Sequence, residues 1–244
     1  MDSLVAHWLH RGAVSNWQPH LLLEGCPRLA PWQRRGLDRL LAANLSRQRV
    51  SDLALAWAVP LGTCNDERVE QWYIGQLDAA VRRGDAPDAR LEFWIALQQS
   101  DSPRIRDYLR SLMLDAAKPE GWRHNAGAAL FAPLNEQERM REYLAAFETR
   151  RLPFNVAVAQ TELLLRRQPE ALLRSVAARV RINAALADQT AFTHIVESSG
   201  RYASPSSRRA LGQALREGMR RSATGGRQRI RLEQAAAWLE RSSR

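Results

Sequence analysis

At 244 residues, with 45% hydrophobic and 25% charged side chains, the chain can bury a substantial core, which excludes an intrinsically disordered protein. Its net charge of +10 favours acidic partners such as nucleic acid, anionic lipid or an acidic protein surface. No apolar run approaches the ~18 residues that cross a bilayer, and Met1-Asp2-Ser3-Leu4 starts acidic and turns polar quickly, so a cytoplasmic protein without a membrane span or secretory signal is expected.

Helical periodicity runs through the chain, and no segment reads as strand. Helix starts are predicted near Pro31, Val50, Asp66, Pro87, Pro103, Pro119, Asn135, Pro153, Pro169, Asp188, Pro205 and Gly226. Proline at a first helical position, Ser, Asn or Asp caps, and acids in the first turn mark them. Ser102-Pro103 and Ser204-Pro205 pair a cap with a proline, and Asn135-Glu136-Gln137-Glu138 supplies a cap followed by acids. Between Glu67 and Arg83 the residues Val69, Trp72, Tyr73, Leu77 and Ala80 recur at helical spacing, with Gln76 the polar exception. From Pro103 to Ala117, Ile105, Tyr108, Leu109, Leu112 and Met113 do the same.

Successive starts lie roughly 15 to 21 residues apart, so helix pairs recur about every 33 to 38 residues, the period of helix-hairpin repeats. A lone hairpin cannot bury both apolar faces, and stacking on its neighbours solves this. The expected fold is therefore all-α: a right-handed α-solenoid of about 12 to 14 stacked antiparallel helices, residues 1–244 forming one repeat domain with a basic capping hairpin at 204–241. Trp8, Trp17, Trp32, Trp57, Trp72, Trp94 and Trp122 fall about once per predicted helix and are expected to fill the seams.

Asp66-Glu67-Arg68-Val69 and Ser102-Pro103-Arg104-Ile105-Arg106 resemble helix openings in HEAT-type repeats, where a polar or proline start precedes an Arg-rich turn and an apolar stripe. The stretch from Ala210-Leu211 to Trp238-Leu239-Glu240-Arg241 is similar to the end of the helical C-terminal domain of zinc aminopeptidases of the M1 family, and Pro31-Trp32 before a Leu-rich helix has a counterpart there. The H-E-x-x-H zinc motif of that family is missing, so the resemblance implies no peptidase activity.

Chemistry-bearing residues are sparse. His7 and His10 could share a helix face, but a metal site needs further ligands and none stands at a suggestive spacing. Cys26 and Cys64 form no metal-type pair; free cysteines in a reducing compartment are expected, with a single disulfide the alternative. Glu67 with Glu70, and Glu138 with Glu142, pair carboxylates on one helix face. Neighbouring Arg68, Arg139 and Arg141 make solvated salt-bridge faces the expectation. No phosphate loop, dinucleotide fingerprint or nucleophile elbow is present, so a non-enzymatic protein without a cofactor is expected.

The unusual electrostatics sit at one end. Residues 201–244 hold eleven arginines against three glutamates, a net +8 of the chain's +10. All the basic residues but Lys118 are arginine, whose planar fork suits carboxylates and phosphates. Arg209, Arg216 and Arg220 share one stripe of a helix whose other stripe, Leu211, Leu215 and Met219, can pack inward. Arg220 and Arg221 close that helix, and Arg227, Arg229 and Arg231 open the next across Gly225-Gly226. Pairing of Glu217 with Arg221 and of Arg229 with Glu233 would neutralise part of this set. These seven arginines are the candidate binding residues. An acidic protein partner is the first expectation, which makes the chain an adaptor that uses a concave face and this basic end. Nucleic-acid binding through phosphate contacts is the alternative, and an accessory helical domain of an enzyme complex the third.

Overall fold

The structure, a computed structural model, describes residues 67–98, 100, 102–221 and 226–241. The helices predicted near Pro31 and Val50, both cysteines, His7, His10, His20 and Trp8, Trp17, Trp32 and Trp57 lie outside the described residues. Among those described, all regular structure is helical, with no strand. They divide into two compact units, one of residues 67–113 and 117–133, the other of 114–116 and 134–241.

The first unit comprises α1 (Glu67–Arg83), a 3-10 turn (Pro87–Arg90), α2 (Leu91–Gln98), α3 (Pro103–Leu114) and α4 (Glu120–Phe131). Gly84, at φ +75°, stops α1, and the amides of Gly84 and Asp85 fold back onto the carbonyls of Val81 and Ala80. This is the two-bond Schellman closure, for which a left-handed glycine is suited. Aromatic rings are set among aliphatic side chains in the core, with Leu77, Ile105, Leu109 and Met113 buried beside them. Tyr73 meets Phe93 edge-on at 5.0 Å, and Trp94 lies 5.6 Å from Trp122. Each buried indole N–H reaches a loop carbonyl, Trp94 that of Pro87 and Trp122 that of Asp85, both at 3.1 Å. A large ring can then be buried without an unpaired donor.

Pro87 was expected to open an α-helix. It opens the 3-10 turn instead, and α2 starts at Leu91. Its carbonyl accepts the Trp94 indole rather than continuing a regular ladder. Glu67 and Glu70 do not share a solvated face: Glu67 pairs with Arg104 at 2.6 Å, whereas Glu70 is buried. The helix expected to run to Ala117 ends at Leu114.

The second unit comprises α5 (Glu136–Thr149), α6 (Phe154–Arg167), α7 (Pro169–Ile182), a 3-10 turn (Ala184–Ala187), α8 (Thr190–Tyr202), α9 (Pro205–Arg221) and α10 (Gly226–Arg241). Asn135 caps α5 in a full capping box with Glu138. Pro153 precedes α6, and Pro169 and Pro205 occupy the first residues of α7 and α9, where no intrahelical N–H is required. The predicted start at Asp188 falls two residues early. Asp188 instead closes the 3-10 turn, its amide donating to Ala185, and α8 begins at Thr190.

Packing in this unit skips along the chain. α7 lies against α5 and α9, while α8 lies against α6 and, more sparingly, α10. Consecutive helices also touch, α9 with α10 most closely. The core is mostly aliphatic, including Leu172, Leu173, Val176, Val180, Leu211 and Leu215. The α7–α9 seam is so tight that a Cβ at Gly218 would collide with the Val180 carbonyl.

Polar ties in both units join residues at varied separations, Arg139–Gln160 spanning 21 residues and Gln189–Phe147 42, and several lie between 32 and 40. Arg104–Glu67, Trp122–Asp85 and Asn125–Asp88 each span 37 residues. In the second unit Gln168–Glu136 spans 32, Ser204–Glu170 34, Arg166–Tyr202 36 and Tyr202–Glu162 40.

Candidate interaction surface on the last two helices

α9 turns Leu211, Ala214, Leu215 and Met219 inward, as its apolar stripe predicts, and leaves Arg209, Arg216, Arg220 and Arg221 exposed. α10 buries Leu232, Ala236 and Leu239 and exposes Arg229 and Arg231. The two helices approach closely at Gly212, where a Cβ would stand 3.2 Å from the Ala236 carbonyl oxygen and 3.4 Å from Leu239.

The candidate arginines divide into engaged and open groups. Arg216 does not face solvent alone: its Nε and Nη2 grip both carboxylate oxygens of Glu240 on α10, each at 2.9 Å. This two-pronged bond holds the guanidinium above its ordinary pKa. Arg229 pairs with Glu233 at 3.0 Å, as the i,i+4 spacing predicts. Glu217 does not pair with Arg221. It meets Arg181 of α7 at 2.8 Å, because α7 crosses α9 there. Arg209 is exposed and already has an interaction within the chain. Arg220, Arg221 and Arg231 are exposed, and no carboxylate among the described residues pairs with them. The connection 222–225 and the Arg227 side chain lie outside what the structure describes. Arg220 and Arg221 stand at the negative end of the α9 dipole, which favours them. α10 has no acid in its first turn to offset its positive end.

Two features have no counterpart in the expected site. Arg208 is only 7% exposed, and its Nε has no hydrogen-bond partner. Its Nη1 lies 3.7 Å from where a Cβ on Gly200 would stand, and the tip of the Trp238 ring 3.6 Å from the same point. The signal is present in the sequence, since Arg208 precedes Leu211 by three residues and Leu215 by seven, which places it on the apolar stripe. The second is a cavity of about 710 Å³ between α8 and α10, with Phe192, Val196, Leu232, Ala235 and Trp238 among its lining. Trp238 and Ile230 on α10 are 37% and 56% exposed.

Among the described residues no group of three metal-ligating side chains assembles, and no helix is long and apolar enough to cross a membrane. Compared with family models, curated proteins and solved structures, the chain finds no match. Its described residues form an all-α protein of closely packed helices, and residues 201–244 are strongly basic.

Proposed function

We propose that the chain is a non-enzymatic adaptor of the HEAT-like kind, a right-handed solenoid of stacked helix hairpins that binds an acidic protein partner through a concave face and its basic C-terminal end. One observation supports the repeat reading: helices pack on their next-but-one neighbours. The observation that carries the partner reading is the open set Arg220, Arg221 and Arg231. In the same unit Arg166, Arg179, Arg181, Arg216 and Arg229 have carboxylates, whereas Arg141, Arg150, Arg167, Arg174 and Arg201 are exposed without an ion pair among the described residues. Arg220, Arg221 and Arg231 differ from the first four of these in lying within the stretch 201–244 that carries a net +8. An exposed guanidinium with no internal acid is available for a bidentate bond to a partner's carboxylate.

The test is affinity capture from native extract with the full chain and with a variant carrying Arg220→Glu, Arg221→Glu and Arg231→Glu. A protein with an acidic surface should be retained by the parent chain and lost from the variant. Equal capture by both removes the basic end from the reading. Nucleic acid is the competing ligand. It would show as a gel shift at low salt whose log K falls by about 0.9 per phosphate contact for each tenfold rise in salt.

A further inference from the structure

The cavity between α8 and α10 has the shape and chemistry of a seat for one more helix. On α8 the lining residues Thr190, Thr193, Val196 and Glu197 follow helical spacing, with Phe192 beside them and Gln189 at the helix's N-cap. On α10 Arg231, Leu232, Ala235 and Trp238 do likewise. Each wall is therefore a single face of a helix about two turns long. Two such faces set apart leave a groove into which the ridges of a third helix can fit. α6 packs closely along α8 in the same row, while α10 holds tightly to α9 and only sparingly to α8. The groove is the space this divergence leaves.

Its chemistry restricts the occupant. The floor is apolar, with Phe192 and Leu232 almost wholly buried and Val196 at its side. Three exposed charges rim it: Asp188 and Glu197 on the α8 side and Arg231 on the α10 side. None of the three forms an ion pair among the described residues. A nucleic-acid backbone would meet two carboxylates on one rim. A second copy of this chain would bring a second net +8 end against the first. An amphipathic helix with acids along one flank and bases along the other meets every requirement.

We propose that this groove binds an amphipathic helical segment of a partner protein, its apolar stripe on Phe192, Val196, Leu232, Ala235 and Trp238. Its acidic flank faces Arg231 and its basic flank Asp188 and Glu197. This is helix-in-groove recognition with anchors at i, i+3 or i+4, and i+7. The inference rests on the adaptor reading and adds to it what the partner presents.

The test is selection of phage-displayed random peptides, several helical turns long, on the full chain. Enriched peptides should carry apolar residues at that spacing with Asp or Glu on one flank. Their affinity, read by fluorescence polarisation, should fall roughly tenfold or more on Ala235→Arg, which fills the groove. Thr193→Arg, at an exposed rim position, is the second blocking variant should Ala235→Arg fail to fold. Selection on Arg231→Glu should exchange the enriched acidic flank for a basic one. No enrichment, or peptides that bind both blocking variants as well as the parent, overturns the proposal. Acidic peptides without apolar spacing also overturn it, while leaving the basic end as a docking site. Groove peptides indifferent to charge reversal at Arg220 and Arg221 would sustain the groove and count against the basic end.

Discussion

The two units are both helical but fix the relation between helices in different ways. The first uses aromatic rings: Tyr73 meets Phe93 and Trp94 meets Trp122, and the indole N–H groups of Trp94 and Trp122 are pinned to the carbonyls of Pro87 and Asp85. Ring geometry and hydrogen bonds are directional, so they specify one arrangement. The second has a mostly aliphatic core: a buried bond joins the Tyr143 and Thr161 hydroxyls at 2.6 Å, and most of the rest is apolar burial, which has no direction. Its register is set by steric closeness, at Gly218 against Val180 and Gly212 against Ala236. Charged ties at the rims add to it: Arg179–Glu148, Arg181–Glu217 and Arg216–Glu240. The first unit has such a tie between helices too, Arg104–Glu67.

If rings hold the first unit, removing one should cost most. Trp122→Ala should destabilise by about 3–5 kcal/mol in chemical denaturation. Trp122→Phe should cost clearly less, because much of the apolar contact survives and the main loss is the bond to Asp85. Equal losses would show that the ring's geometry matters little. In the second unit, Gly218→Ala should cost about 1–3 kcal/mol, since the clash is with a helix carbonyl that cannot rotate aside. Gly75→Ala is the control. Gly75 is exposed within α1 with no atom near its missing Cβ, so alanine should stabilise by about 0.5–1 kcal/mol. Arg216→Gln should change stability by less than about 1 kcal/mol, because the ion pair with Glu240 is solvent-exposed. A larger loss would mean that charge, rather than close approach, sets the α9–α10 register.

Much of this architecture was legible because proline and short polar caps punctuate the chain. Pro103, Pro169, Pro205 and Gly226 each open a helix where expected, and Pro119, Asn135 and Pro153 cap one. Such signals act within a few residues and need no tertiary information. Pro87 and Asp188 misled by a few residues because 3-10 turns intervene, one of them beside a tertiary bond to Trp94. The candidate site was legible to the same limit. Arg229–Glu233 lies within one helix and follows from spacing. Arg216–Glu240 and Arg181–Glu217 join residues 24 and 36 positions apart, and only the helix crossings decide them. The groove between α8 and α10 is likewise a consequence of helix divergence, which periodicity does not encode.

The smallest expected effect concerns a tie of one kind that both units contain, a tyrosine hydroxyl donating to a carboxylate about one helix pair away. In the first unit it is Tyr108 to Asp78 at 3.1 Å, and in the second Tyr202 to Glu162 at 2.5 Å. The Tyr202 hydroxyl is the main influence holding Glu162 below the usual carboxylate pKa, with the charges of Arg166 and His194 acting in the same direction. A carboxylate depressed on folding contributes stability that is complete above its unfolded pKa, about 4.3. That contribution is lost as pH falls through the lower folded value. Tyr202→Phe should therefore raise the Glu162 pKa towards its ordinary value in a carbon-detected NMR titration. It should also make the loss of stability on acidification from pH about 5 shallower than in the parent. An unchanged titration in Tyr202→Phe would assign the depression to Arg166 and His194, and the α6–α8 contact would then be held by apolar packing and those charges without the hydroxyl.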